Sequence, residues 1–452
     1  MIYKKLNLSI NPFALYSLIS QEYENSFLLE SLEGKDKLAR FSFIGFDPSK
    51  IVSATDAIVS SDNQETDSKE PLRALANEIP KIKLEKEGFL GGAVGYFSYD
   101  YIRNLERIGD NDNKKNTKHD FPDFEFGIFN DCIAYDHRDR SVHYISHSTD
   151  RSSIIESLVK NENESQEEQQ PFNVKGLKAN IDKSKFEKMV ETAKEKIVDG
   201  DIFQVVLSRK YESEYTGNPL SFYNYLKQTN PSPYMYYLSF GDRKIVGSSP
   251  ENLVRVEGKK IDSYATLAGT IHRGKTIEED KLLEQKLLTD PKERAEHLML
   301  VDLTRNDLGK VSEPGSVHVP ELMEIHKYRY VQHIGSHVAG TLADGKDCFD
   351  ALNAIFPAGT LSGAPKVRAM EIIEALEPDC RGPYGGAVGY FSFNGNCDFA
   401  ITIRTLVANK KQVSIQAGAG IVYDSIPEKE YEETENKLRA LTNALDSSKV
   451  SG

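Results

Sequence analysis

The sequence predicts an α+β fold in which layered sheets carry helices on the outside, and three observations lead there. Strand-like alternation comes in long groups, at residues 26–31 and 39–45 and again from 203 onward. Helical stretches are set among those groups, which suits sheets covered by helices. A nine-residue string, Gly91-Gly-Ala-Val-Gly-Tyr-Phe-Ser-Tyr99, returns as Gly385-Gly-Ala-Val-Gly-Tyr-Phe-Ser-Phe393 with eight of nine positions identical. Nearly 300 residues separate the copies, too far for a short solenoid repeat. An internally duplicated sheet framework, with equivalent strands in two halves, is expected.

Taken in order, polar runs at 60–70 and 109–119 read as surface loops. Residues 161–170, Asn-Glu-Asn-Glu-Ser-Gln-Glu-Glu-Gln-Gln, form the clearest linker, polar and without periodicity. They divide the chain into segments 1–170 and 171–452. A helix is expected over 183–199, with Phe186, Met189, Val190, Ala193 and Ile197 on one face. Strands are expected at 203–208, 235–240, 244–247, 253–256 and 263–268. Further helices are expected at 276–288, 291–304, 347–356, 364–374 and 427–445.

At 452 residues the chain suits two or three domains, or one large duplicated one. No apolar run approaches the length needed to span a bilayer, and the first residues show no secretory signal. Cys132, Cys348, Cys380 and Cys397 are far apart and form no Cys-x-x-Cys pair, as expected of reduced thiols in a cytoplasmic protein. A net charge of -13 argues against nucleic acid as a partner. It leaves room for a small anionic substrate, because a few buried cations decide what a pocket accepts. Tryptophan is absent, despite 22 Tyr and 21 Phe.

The stretch from Thr289 to Gly309 reads as a well-specified helix. Asp290 caps it, Pro291 suits the first turn, and Gly309 supplies a stop. Glu293 and Glu296 project from one face, where two carboxylates can hold a hard cation such as Mg²⁺. Glu293 equally fits a capping-box acid three residues after Asp290. Near the far end, Glu430, Glu433 and Lys437 share one flank of another helix, a spacing that suits a solvated Glu–Lys pair as well as a ligand set. Residues 356–366, Phe-Pro-Ala-Gly-Thr-Leu-Ser-Gly-Ala-Pro-Lys, run from a glycine-rich loop into a helix, where free N–H groups attract anions. Gln416-Ala-Gly-Ala-Gly-Ile421 places small residues after a strand, where a backbone can approach a ligand. Arg404 follows an alternating run that suggests a buried strand; a carboxylate clamp and a surface arginine both fit.

With these belong Phe203-Gln-Val-Val-Leu-Ser-Arg209, Ser248-Ser-Pro-Glu251, Leu267-Ala-Gly-Thr270 and, earlier, Leu28-Leu-Glu-Ser31 and Arg40-Phe-Ser-Phe-Ile-Gly45. Together they make the chain resemble the chorismate-utilising enzymes, and within them most closely the large subunits of anthranilate synthases. The resemblance implies a layered α/β/β/α architecture with two packed, largely antiparallel sheets and helices outside. It implies one Mg²⁺ among Glu293, Glu296, Glu430 and Glu433, orienting the ring carboxylate of chorismate. Glu293 retains a capping explanation and Glu296 has none, so Glu296 is expected to be the direct ligand and Glu293 to act through water or from farther out.

The same resemblance implies that Arg404, Tyr384 and the amides around Gly418 and Gly420 meet the enolpyruvyl carboxylate. Lys437 would stand near the ring carboxylate, with Ala268, Gly269, Thr360 and Ala419 completing the pocket. Glu251 is implied as the acid that helps the ring hydroxyl leave, Thr270 as a hydrogen-bond partner and His333 as a proton handler. Gln204 stands where water-adding relatives carry a lysine base, and an amide cannot deprotonate water. Ala268 stands where aminodeoxychorismate synthases commonly carry a nucleophilic lysine. Both positions imply direct attack by ammonia and release of anthranilate and pyruvate, ahead of aminodeoxychorismate synthesis or a catalytically silent tryptophan-sensing subunit. Leu29, Glu30 and Ser31, with Asn230, Pro231, Pro233, Tyr234 and Met235, match a feedback site for L-tryptophan. By itself Asn230-Pro-Ser-Pro suits a turn before a strand. No Gly-x-Cys-x-Gly nucleophile elbow is present, so a separate glutaminase subunit is expected to supply ammonia within a hetero-oligomer. Thr266-Leu267 and Ile271-His272 flank Ala-Gly-Thr differently from the family, and Gly335-Ser-His337 departs where the family ends in arginine.

Overall fold

The two copies of the repeated string lie side by side. The computed structural model describes residues 1–32, 40–62, 64–84, 88–108, 121–161, 171–264, 266, 268–327 and 331–447, with only the backbone at 268, 270, 331 and 447. In it, strand Gly92–Phe97 pairs antiparallel with Ala387–Ser392, and Gly95 faces Gly389. The pairing is reciprocal, since Ala387 opposes Phe97 as Ala93 opposes Phe391. A local two-fold therefore relates the copies. A Cβ on Gly95 would stand 2.0 Å from the Glu125 carbonyl oxygen, and one on Gly389 would stand 2.0 Å from that of Asp398. Both copies keep glycine for the same close strand approach.

Among the described residues, two sheets of 13 and 12 strands form, and each draws on both segments of the chain. At the centre of the first, Ser26–Glu30 pairs with Tyr234–Phe240. Outward on one side lie Phe41–Phe46, Asp131–Asp136, Ser141–Ser146 and Ile2–Leu6; on the other lie Arg243–Ser249, Thr405–Asn409, Gln412–Ile421 and Gln204–Thr216. The second sheet spreads from the repeated strands through Phe124–Phe129 and Lys50–Thr55 on one side. Cys397–Ile401, Asn252–Glu257, Lys260–Ser263 and Val331–Thr341 extend it on the other. Strand alternation assigns the faces. Val94 and Tyr96 pack between the sheets with Phe27, Leu238 and Val388, while Ala93 and Phe97 face an outer core with Leu72, Val301 and Leu352 from helices. The first sheet is covered likewise, Leu28 and Val246 meeting Leu15, Phe222 and Leu441. These three cores are the expected α/β/β/α layering.

Helix expectations hold to within a few residues, the 291–304 helix running on to Gly309. Gly309 is not the stop; it is the last helical residue, and Lys310 caps the helix through its N–H to the Asp307 and Leu308 carbonyls. The strand expected at 263–268 straddles the end of Lys260–Ser263 and the start of Ala268–His272. The polar run at 60–70 is not a plain loop either: Ile58–Ser61 and Gln64–Asp67 pair as an edge hairpin. Its polarity reflects an edge strand exposed along its length. The run at 109–119 and all of the linker after Asn161 lie outside the described residues. Among the described residues no helix is long and apolar enough to cross a membrane, and the four cysteines are free thiols.

Candidate active site

Two helices, Pro291–Gly309 and Pro427–Ser447, set the acid pairs against each other. The Asp290 carboxylate accepts from the N–H groups of Lys292 and Glu293 at 2.9 and 3.1 Å. The Asp290 N–H bonds to the Leu287 carbonyl, so Glu293 does not close a capping box. Its Oε2 instead lies 2.8 Å from where a Cβ on Gly269 would stand. Burial, then the Glu293 charge, pushes the Glu296 carboxyl up, with Glu433 adding to it. Burial followed by Asp290 raises Glu293, Glu433 again contributing. Burial and Glu433 raise Glu430. The four acids thus repel one another across two helices. They adjoin without closing on a point: among the described residues no three acid, histidine or cysteine side chains stand ready to hold one metal ion. The donor set itself, oxygen-only and mutually destabilised, fits a hard divalent cation. Gly269 and Gly420 leave it space, since a Cβ on Gly420 would stand 3.6 Å from Glu296 Oε1.

Gln204 opens the Gln204–Thr216 strand and donates from Nε2 to Glu296 Oε1 at 2.6 Å. Its buried Oε1 has no hydrogen-bond partner among the described residues. Opposite run Gly420, paired with Val206, and Gly418, paired with Ser208. A Cβ on Gly420 would come to 2.7 Å of Gln204 Nε2, and one on Gly418 to 3.0 Å of the Tyr384 hydroxyl. These glycines form the floor that lets both side chains approach. Ala419 between them turns its methyl into a core with Val205 and Leu207, so only its backbone is offered to the site. Lys437 makes the expected i,i+4 pair with Glu433 at 2.7 Å and also donates to the Gly418 carbonyl at 2.9 Å.

His333 lies opposite Thr270 in the strand pairing, and its Nδ1 is 3.3 Å from the Gly269 carbonyl. Burial pushes its imidazole down to about 3, helped by the charges of Arg404 and Lys437. It is therefore neutral at working pH. Arg404 follows the buried strand Cys397–Ile401, as expected of the run before it. It sits in the connection from Cys397–Ile401 of one sheet to Thr405–Asn409 of the other, at φ +50°. That conformation costs a non-glycine residue about 1–2 kcal/mol. Glu251 is buried and accepts from Thr360 Oγ1 at 3.1 Å. The side chains of Ala268 and Thr270 lie outside the described structure.

Three contributors escape a reading of spacing. Arg209 is fully buried, donates from Nε to Thr434 Oγ1 at 2.8 Å, pairs with Glu435 and lies 4.3 Å over the Tyr431 ring. It clamps the helix carrying Glu430 and Glu433 from behind. The signal was a cation directly after the run Val-Val-Leu-Ser208, followed by Lys210. Arg381 bonds the Leu361 and Val206 carbonyls at 2.6 and 2.7 Å, tying the Thr360 loop to the strand of Gln204. Lys366, at the glycine-rich loop, holds Asp307 at 2.5 Å together with the Ile355 and Pro357 carbonyls. That lysine fastens the loop to the acid-bearing helix through the Asp307 carboxylate.

A cavity of about 350 Å³ opens between the halves. Leu29, Glu30, Ser31, Tyr234 and Met235 line it, while Asn230, Pro231 and Pro233 are not among its lining residues. Pro233 and Asn230 buttress it: Ser31 Oγ donates to the Pro233 carbonyl at 2.5 Å, and Ser248 Oγ to that of Asn230. The Glu30 carboxylate is occupied by the Tyr223 hydroxyl at 2.7 Å and by Lys227 at 2.9 Å. Arg40, Arg138, Arg255 and Asp398 also line the cavity; the first two flank strands and the last two lie on them, all distant in sequence, and no local spacing marks them.

The family model for chorismate binding enzymes matches residues 24–443. An anthranilate synthase component 1 of Methanothermobacter marburgensis is 49% identical, the match covering 96% of this chain and 93% of the relative. One from Saccharolobus solfataricus is 44% identical over 96% of this chain and 97% of its own. Among solved structures, anthranilate synthase component I from Streptococcus pneumoniae superposes with a TM-score of 0.80 at 40% identity, covering 91% of this chain and 93% of that one. The menaquinone-specific isochorismate synthase of Escherichia coli shares the fold at a TM-score of 0.73 and 20% identity, over 98% of this chain and 94% of that one.

Proposed function

The chain belongs to the chorismate-binding enzyme family, and we propose that it works there as component I of an anthranilate synthase. In this reading it is a carbon–oxygen lyase that turns chorismate and ammonia into anthranilate and pyruvate. The observation that carries it is Gln204, fixed by its 2.6 Å bond to Glu296 at the edge of the acid cluster. An amide there can accept an N–H but cannot take a proton from water, which favours a nitrogen nucleophile.

Glu293, Glu296, Glu430 and Glu433 would hold Mg²⁺, whose charge, when bound, offsets the ring carboxylate and the developing charge on the departing hydroxyl. Glu251, buried and bonded by Thr360, would protonate that hydroxyl. His333 would handle a proton during aromatisation. Arg404, Tyr384 and the floor at Gly418 and Gly420 would meet the enolpyruvyl carboxylate, with Lys437 beside the ring carboxylate. Gly269 gives the substrate room, Thr270 a hydrogen bond, and Ala268 no competing nucleophile. Ammonia would come from a glutaminase subunit in a hetero-oligomeric, cytoplasmic complex. The cavity between the halves, with cations and carboxylates on one wall, suits the zwitterionic head of L-tryptophan as feedback inhibitor.

The test is direct. The full chain with chorismate, Mg²⁺ and ammonium should release fluorescent anthranilate and stoichiometric pyruvate. An aminated chorismate product without pyruvate, or no turnover, would end the proposal.

A further inference from the structure

Asn252 directly follows Glu251 in the chain and is 1% exposed. Its Nδ2 donates to the Tyr234 hydroxyl oxygen at 2.9 Å, to Asp398 Oδ1 at 3.1 Å and to the Phe399 carbonyl at 3.2 Å. The Tyr234 hydroxyl itself donates to Asp398 Oδ1 at 3.0 Å, which closes a triangle of three side chains. Asn252 Oδ1 accepts from the Tyr264 N–H at 3.4 Å. Tyr234, Tyr264 and Asp398 all line the cavity between the halves. Asn252 itself is not among the lining residues; it stands immediately behind the wall.

On its other side Asn252 is joined to Glu251 by the peptide between them. The pairing of Asn252–Glu257 with Cys397–Ile401 slips between Asn252 and Val254, a bulge of the kind that re-aims a neighbouring side chain. Just before the slip, the Ile401 N–H donates to the Glu251 carbonyl at 3.0 Å. The two N–H groups of a buried amide have three acceptors here, two of which belong to the cavity wall. If a ligand shifts Tyr234 or Asp398, the Asn252 donors must follow, because a buried donor is costly to leave unpaired. The peptide that follows with them is the one carrying Glu251.

We propose that Asn252 is a positioning residue for Glu251 and the joint through which an occupant of the cavity withdraws that acid from the substrate. The proposal rests on the reading of the cavity as a tryptophan site, and its experiment keeps the two apart. The full chain, with ammonium as nitrogen donor, is compared with Asn252→Ala and with Tyr234→Phe, which removes a single oxygen from the triangle. Calorimetry gives L-tryptophan affinity, steady-state kinetics give kcat, KM for chorismate and inhibition, and thermal unfolding checks the fold.

In Asn252→Ala, tryptophan should bind within about threefold of wild type while its inhibition weakens at least about tenfold. The kcat should fall about tenfold with KM nearly unchanged, as expected when an acid loses its aim and binding is spared. Tyr234→Phe should weaken inhibition in the same direction with a smaller loss of kcat, and it decides the matter if the alanine variant does not fold. Inhibition that weakens only in step with affinity, or a wild-type kcat and inhibition in both variants, overturns the proposal. If the wild type binds no tryptophan, the cavity reading fails and the coupling role with it, while the positioning role stands or falls on the kcat–KM split.

Discussion

Glu296 concentrates the electrostatics of the site. It is half-buried beside Glu293 and near Glu433, and the Gln204 amide donates to it. The acids at 293, 296 and 430 hold protons more readily in the fold than in the unfolded chain. Their charge therefore costs the fold stability as pH rises above the ordinary carboxylate range, and a divalent cation would restore it. Mg²⁺ should raise the thermal midpoint of the wild type more at about pH 8 than at about pH 5.5, where protons compete for the same oxygens. In Glu296→Gln that increment should shrink, and turnover should drop roughly 100-fold with an unchanged circular dichroism spectrum. Full activity in the variant would remove Glu296 from the proposed ligand set. The acid pairs were legible in the sequence because helical spacing places i and i+3 on one face. Their meeting was not, because it depends on how two helices 130-odd residues apart pack. Arg209, which clamps the second of these helices, and Arg381, which ties the Thr360 loop to the Gln204 strand, have no spacing of their own.

At the level of elements, the repeated string was the most informative feature of the sequence, and the structure gives it a physical cause. Gly95 and Gly389 sit opposite each other, and each meets a neighbouring carbonyl at the same distance, 2.0 Å from an added Cβ. Gly95→Ala and Gly389→Ala should each destabilise the fold by about 3 kcal/mol, with closely matching effects in denaturant titrations. A large difference between them would mean that the two-fold is not shared by the surrounding packing. Helix starts expected at 183, 276 and 347 fall within a residue of those observed, where Asp182, Thr276 and Asp347 act as caps. The connection between Ser263 and Ala268 was misread because β-like alternation continues through it, while pairing with Val331–Thr341 stops at Ser263 opposite Val338 and resumes at Ala268 opposite Ile334.

On the scale of the whole molecule, both sheets are joint products of the two segments. We propose the division at the linker as one of labour, regulation before it and catalysis after it. Segment 1–170 expressed alone lacks Tyr234–Phe240 and Ala387–Ser392, the partners of its central strands. It should give a poorly dispersed amide spectrum, and addition of 171–452 should restore dispersion; a cooperatively folded fragment would contradict this. The pairing of Gly92–Phe97 with its copy also has a consequence for how the chain is made. The two strands leave the ribosome about 290 residues apart, so at 5–20 residues per second the first waits roughly 15–60 s for the second. For that interval the edge that Ala387–Ser392 later covers stands unpaired, open to pairing with another chain until the copy arrives.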